Sequence, residues 1–145
     1  NGVEIVQKLL SAGPDLPAIA IDEDQMQLVF INLIRNACQA MPTGGIITIL
    51  VFIEAYHTNR SLVQSFTQVD VDRLVISIKD TGIGIPTEEQ SQIFDAFYTT
   101  KPKGLGLGLL NVKNVIESHG GQIVVDSQIG RGTEFTIRIP LTQPL

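Results

Sequence analysis

Asp80-Thr81-Gly82-Ile83-Gly84-Ile85-Pro86 follows a stretch in which Leu74, Ile76 and Ile78 alternate with Val75, Ser77 and Lys79. Side chains two apart share one face of a strand, so Asp80 continues the apolar row. A carboxylate ending a core-facing row needs partners, because burying an unpaired charge is very costly. The glycines that follow let backbone come close to whatever supplies those partners. An amino group on a flat heterocycle such as adenine meets the need. An Asp-initiated turn through Thr81-Gly82 is the plainer reading of the same residues.

The rest of the chain sets wide bounds. Its 145 residues, 43% hydrophobic, suit one domain with a core of its own. Net charge is −5 and Lys plus Arg number only 10, with no basic run, which argues against a general nucleic-acid binder. Lys101 and Lys103 form the one local basic spot. Cys38 is the single cysteine, so neither a disulfide framework nor a thiolate metal cluster is expected. No apolar run approaches the ~18 residues of a membrane span. Asn1-Gly2-Val3 does not open a signal peptide, and a cytoplasmic domain without direct membrane contact is expected. A start without methionine reads as a piece of a longer protein.

Periodicity and punctuation divide the chain into mixed elements. Residues 3–10 read as a strand, a turn follows at Gly13-Pro14-Asp15, and 17–21 is extended. Asp22 or Asp24 caps a helix reaching about Met41, with Gln25 and Gln27 at capping-box spacing. Pro42-Thr43-Gly44-Gly45 stops it. Residues 46–55 are β-branched and strand-like; the polar stretch 56–70 is a long connection to an antiparallel strand over 73–80. Thr87-Glu88-Glu89-Gln90 reads as a second capping box, opening a short helix to about Ala96. A further helix over 107–119 ends at Gly120-Gly121. Residues 122–127 and 133–139 form a hairpin through Gly130-Arg131-Gly132, with Phe135, Ile137 and Ile139 inward and Glu134, Thr136 and Arg138 outward. The pattern predicts an α+β fold: a two-layer α/β sandwich, its mixed, mostly antiparallel sheet carrying about three helices on one face.

Two further segments carry chemistry. Gly104-Leu105-Gly106-Leu107-Gly108-Leu109 lacks the preceding strand and following acid of a dinucleotide fingerprint. A glycine-rich run opening a helix still presents free N–H groups and a positive dipole end, suited to phosphate; a flexible hinge is the alternative. Asn32 and Asn36 lie one turn apart on an otherwise apolar helix. They are either amides satisfied by backbone or hard neutral donors suited to Mg²⁺.

Taken in order, these segments resemble the catalytic, ATP-binding domain of sensor histidine kinases, in the superfamily of gyrase, heat-shock-chaperone and mismatch-repair ATPases. Asn32-Leu33-Ile34-Arg35-Asn36-Ala37 is similar to the N box, and the Asp80–Pro86 stretch to the first glycine box. Ile93-Phe94-Asp95-Ala96-Phe97-Tyr98-Thr99-Thr100-Lys101 is similar to the F box and the start of the ATP lid. The 104–109 run matches the second glycine box, and Gly130-Arg131-Gly132-Thr133-Glu134-Phe135 resembles the last. The likeness extends from about Pro17 to Pro140.

The resemblance implies a Bergerat-type fold and roles for named residues. Asp80 would accept the adenine amino group, with Gly82, Gly84 and Ile85 along the base, and the Thr133 hydroxyl would reach the base side of the pocket, often through water. Asn36 would bind Mg²⁺, Asn32 would position, and Lys101 would offer the phosphates a mobile charge. Gly104, Leu105, Gly106, Leu107, Gly108 and Leu109 would bring backbone N–H groups to the phosphates. ATP and Mg²⁺ are the implied cofactors. The implied partners are a phosphoacceptor helical hairpin elsewhere in the parent protein and, through it, a response regulator; the isolated domain is expected to be monomeric. Ala40 stands where many members place an aromatic residue, so aliphatic side chains must flank the base. Asn32 stands where the gyrase-like ATPases place a water-activating glutamate; an amide cannot take that proton, which favours a kinase over an ATP-driven clamp. A serine kinase of the anti-sigma type and a non-catalytic nucleotide module are the alternatives. Neither His57, in the polar connection, nor His119, at a helix end, is placed as a phosphate acceptor.

Overall fold

The computed structural model describes residues 2–10, 19–57, 70–101 and 104–141. Eight elements follow in order: β1 (Val3–Leu10), α1 (Glu23–Ala40), β2 (Gly45–His57), β3 (Asp70–Asp80), α2 (Thr87–Gln90), α3 (Gly108–Ser118), β4 (Gln122–Gln128) and β5 (Gly132–Pro140). The strands form one five-stranded sheet in the order β1-β2-β3-β5-β4. β1 runs parallel to β2, and the other neighbours are antiparallel. A parallel pair needs a crossover, and α1 supplies it.

Met26, Val29, Leu33 and Ala37 recur at helical spacing and form the buried stripe of α1. They meet Val112 and Ile116 of α3, and the inward row of the sheet: Ile47, Leu74, Ile76, Ile78, Phe135, Ile137 and Ile139. Full burial of each such side chain contributes about 1.5–3 kcal/mol before chain entropy is charged against it. The other face mixes Leu50, Phe52 and the buried Val75 with Thr48, Ser77 and charged residues, and there Arg138 bonds Glu54 at 3.2 Å.

Several boundaries differ from the sequence reading, each for a tertiary reason. β2 and β3 run on to pair His57 with Asp70. Glu54 and Arg73 stand opposite each other there and bond at 2.8 Å, a cross-strand charge pair that extends the ladder. The remainder of the predicted connection, 58–69, lies outside the described residues, as do the turn at 13–15 and residues 17–18. α2 is a single turn rather than a helix to Ala96, and Pro86, not Thr87, precedes it with no side-chain cap. The Gln90 amide donates instead to Ile85 O at 3.0 Å and Ser127 O at 2.9 Å. Among the described residues, the expected helices (about three) are two full helices and one turn.

At the N-terminus of α1, Asp22 accepts from Gln25 N at 3.0 Å, so Asp22 rather than Asp24 is the cap. Its own N–H donates to His119 Nε2 at 3.0 Å, and His119 Nδ1 donates to Val115 O at 2.7 Å. Because the Asp22 N–H can only donate and the Val115 carbonyl only accept, the buried ring is neutral with its proton on Nδ1. His119 thus ties the start of α1 to the end of α3. His119→Phe keeps much of the volume and strands the Asp22 N–H, whereas Val115 O keeps the Ser118 hydroxyl as a donor, and about 1–3 kcal/mol of stability should be lost in urea titration. A variant as stable as the parent would show the tie to be idle.

Candidate nucleotide site

Asp80 ends the inward row of β3 beside Ile47 of β2, and Thr133 pairs with Ser127 across β5 and β4. The Thr133 N–H donates to Asp80 Oδ1 at 3.3 Å, so a polar row crosses three strand ends at the rim of the core. Asp80 Oδ1 also accepts from Gly82 N at 2.8 Å. Among the described residues, no group bonds its second oxygen. Burial raises the Asp80 pKa, and the bonds from Gly82 and Thr133 pull it back only in part. A buried carboxylate with one oxygen spoken for and one unused is an acceptor held ready for a ligand donor.

The loop after Asp80 is stitched on both sides. Ile83 N donates to Ala40 O at 3.1 Å, and Gly130 N donates to Ile83 O at 2.9 Å. A Cβ on Gly82 would lie 2.7 Å from that of Ala40, so the small residue at 40 fits the tight seat of the loop. Gly84 has φ +77, and a Cβ there would stand 2.2 Å from Gln128 O. Gly132, at φ +109, would put one 2.0 Å from Asp80 O. These two glycines let the β4–β5 turn lie directly on the Asp80 loop.

The second half of the site faces α1. Asn36 Oδ1 accepts from Lys101 Nζ at 3.0 Å, and Gln39 Oε1 accepts from the same ammonium. Burial lowers the Lys101 pKa, and the charge of Arg35 lowers it further. Asn32 donates back to Leu28 O at 2.9 Å. A Cβ on Gly108 would come within 3.0 Å of Asn32 Oδ1, so the start of α3 lies against this amide. Among the described residues no side chain caps α3, which leaves its first N–H groups available to an anion. Gly106, at φ +70, turns the chain into that helix. Leu109 packs on the core, whereas Leu105 is 77% exposed.

Asp80, Gly82, Gly84, Ile85 and Thr133 thus gather around the polar row, and Asn32, Asn36, Lys101 and Gly108 around the middle of α1. Lys103 lies outside the described residues. The sequence reading missed Ser127, Gln90 and Gln39. Gln39 could have been found one turn beyond Asn36; Ser127 could have been found by counting the hairpin register back from Gly130.

The donors suit Mg²⁺ in one specific way. Among the described residues, no three His, Cys, Asp or Glu side chains cluster, which excludes an all-carboxylate cage there. The Lys101 ammonium seated between two amide oxygens shows that Asn36 and Gln39 converge on a cation. A metal sharing the site with phosphate needs few protein ligands, and an amide oxygen suits it.

Residues 21–143 match the family described as histidine kinase-, DNA gyrase B-, and HSP90-like ATPases. Sporulation kinase E of Bacillus subtilis is 39% identical over 138 residues, covering 95% of this chain and 17% of that protein. The sensory histidine kinase/phosphatase NtrB of Azospirillum brasilense is 39% identical over 128 residues, 88% of this chain and 32% of its own. The solved catalytic domain of histidine kinase ThkA superposes with a TM-score of 0.71 at 30% identity, covering 95% of this chain and 80% of that one. Full-length ShkA in complex with AMPPNP gives 0.69 at 27% identity, over 99% of this chain and 27% of that one. The chain therefore spans less than a third of the length of these curated relatives. It belongs to the family of histidine kinase-, DNA gyrase B- and HSP90-like ATPases, as an ATP-binding catalytic domain of the histidine-kinase kind.

Proposed function

We propose that this domain binds ATP with Mg²⁺ and passes the γ-phosphoryl group to a histidine on a helical hairpin elsewhere in its parent protein. The observation that carries the reading is the pair of amides on α1: Asn36 turned to a cation, and Asn32 held by its bond to Leu28 O where a hydrolase needs a base. An amide cannot deprotonate water at neutral pH, whereas a neutral imidazole brings its own lone pair. The AMPPNP bound to ShkA supports the nucleotide half of the reading.

Each residue has a share in that work. The free oxygen of Asp80 accepts the adenine amino group, with Gly82, Gly84 and Ile85 along the base and the Thr133 hydroxyl beside Asp80 on the base side of the pocket. The N-terminus of α3, reached through Gly104, Gly106 and Gly108, offers N–H groups to the phosphates. Lys101 leaves the two amides and turns its charge to the triphosphate. Asn36 would hold Mg²⁺, which neutralises phosphate charge when bound. Phosphoryl transfer asks mainly for such positioning and charge.

Phe97 and Leu105, 75% and 77% exposed, give an apolar rim to the lid on which acceptor helices can rest. Among the described residues no helix is long and apolar enough to cross a membrane. The reading places the domain in the cytoplasm as a monomer, meeting a response regulator only through its hairpin.

Both ring nitrogens of His119 are committed, so the ring has no lone pair to offer a phosphorus centre. Incubation with labelled ATP should leave no acid-labile phosphate on the domain alone, and should label an added hairpin that contains a histidine. Robust labelling of His119 or His57, or none of the hairpin, would refute the proposal.

A further inference from the structure

We propose that Ser127 determines base specificity by fixing the hydroxyl of Thr133 as a pure acceptor. The inference rests on the nucleotide reading of the cleft and deepens it. Ser127 Oγ has three neighbours: Ile85 N at 2.8 Å, Gly132 O at 3.0 Å and Thr133 Oγ1 at 2.8 Å. A hydroxyl has one proton and two lone pairs. The Ile85 N–H can only donate, so it takes one lone pair. The Gly132 carbonyl can only accept, so it takes the proton. One lone pair remains, and Thr133 must donate into it. Reversing that last bond would set two oxygens, Ser127 Oγ and Gly132 O, lone pair to lone pair at 3.0 Å.

The consequence lies one strand away. Thr133 is buried and its N–H already serves Asp80. With its hydroxyl proton given to Ser127, its oxygen faces any ligand with lone pairs only. The unused oxygen of Asp80 does the same. The side-chain groups of the polar row therefore offer acceptors and no proton, which suits an exocyclic amino group and opposes a carbonyl in its place. Discrimination of this kind comes as much from the group rejected as from the group bound. Without Ser127, the Thr133 hydroxyl can rotate and donate, and a 6-oxo purine gains a partner.

Calorimetric affinities for ATP and inosine triphosphate, which differ at the 6-position of the purine, test this without any catalytic step. The parent should prefer ATP, and Ser127→Ala should reduce the ATP-to-ITP ratio about tenfold, equivalent to 1.4 kcal/mol. General loosening of the pocket would weaken both nucleotides and leave the ratio alone. Ser127→Thr keeps a hydroxyl and should restore the ratio. Adding Thr133→Val to Ser127→Ala removes the freed donor and should cancel the gain for ITP. Ser127→Cys, close in volume but a poor donor, should shift the ratio the same way by less, and it serves if the alanine variant does not fold. An unchanged ratio in the folded variants overturns the role of Ser127 while ATP binding stands. A parent that binds neither nucleotide overturns the reading of the cleft, and this inference with it.

Discussion

Asp80→Asn is expected to cost roughly 2–4 kcal/mol of ATP affinity while leaving the unliganded domain at least as stable as the parent. The side chain keeps its size, and its oxygen can still accept from Gly82 and Thr133. Its amide then faces the adenine amino group, donor against donor. Stability should move the other way. Burial raises the Asp80 pKa in the folded protein, so protonation favours folding. That contribution is full below the unfolded carboxylate pKa and is lost as pH rises through the folded value. At neutral pH the ionised Asp80 is therefore a cost of folding, kept for the ligand, and asparagine removes it. Thermal melts across the acidic to neutral range should show the variant matching or exceeding the parent at neutral pH. ATP affinity of the parent should fall on acidification through the raised pKa, and the variant should lack that dependence. GTP, with a carbonyl where ATP has the amino group, should bind the parent poorly. Equal affinities for ATP and GTP would refute the assignment of Asp80.

Asn36→Ala should remove nearly all transfer to an added hairpin, on the order of 10²–10³-fold, together with the metal-dependent part of ATP binding. It deletes the oxygen assigned to Mg²⁺ and one of the two amides that hold Lys101. Asn32→Ala deletes a bond within α1 to Leu28 O and no ligand of the metal. It should bind Mg·ATP almost normally and be slower only in transfer. Lys101→Ala should fall between them. The lid loses its charge toward the phosphates, but Asn36 loses an occupant that a metal would otherwise have to displace. Titrations with and without Mg²⁺ on the three variants separate these roles. Full Mg²⁺ dependence in Asn36→Ala would move the metal to another group.

Local chemistry was legible along the chain. Alternation placed Asp80 in the row of Leu74, Ile76 and Ile78, and the row is buried with Asp80 at its end. Helical spacing drew a helix from a cap at Asp22 or Asp24 to about Met41, and α1 spans Glu23–Ala40 behind Asp22; the left-handed stop of α3 stands at Gly120, φ +72. The hairpin through Gly130-Arg131-Gly132 and its inward residues follow from period two alone. Such features depend on residues within a few positions of one another, and there the backbone has few alternatives.

Features made by distant pairs were not legible. Thr87-Glu88-Glu89-Gln90 has the spacing of a capping box, yet Gln90 spends its amide on Ile85 and on Ser127, 37 positions away. The parallel pairing of β1 with β2 and the insertion of β5 between β3 and β4 were equally hidden. By itself the sequence determined the strands, the helices α1 and α3, the inward phase of Asp80 and the glycine-rich approach to α3, because each follows from local sterics and periodicity. Only the tertiary structure decided that Ser127 meets Ile85 across 42 positions and that Lys101 rests on Asn36 across 65. A hydroxyl, an amide or an ammonium takes its role from the group it faces, and long-range packing selects that group.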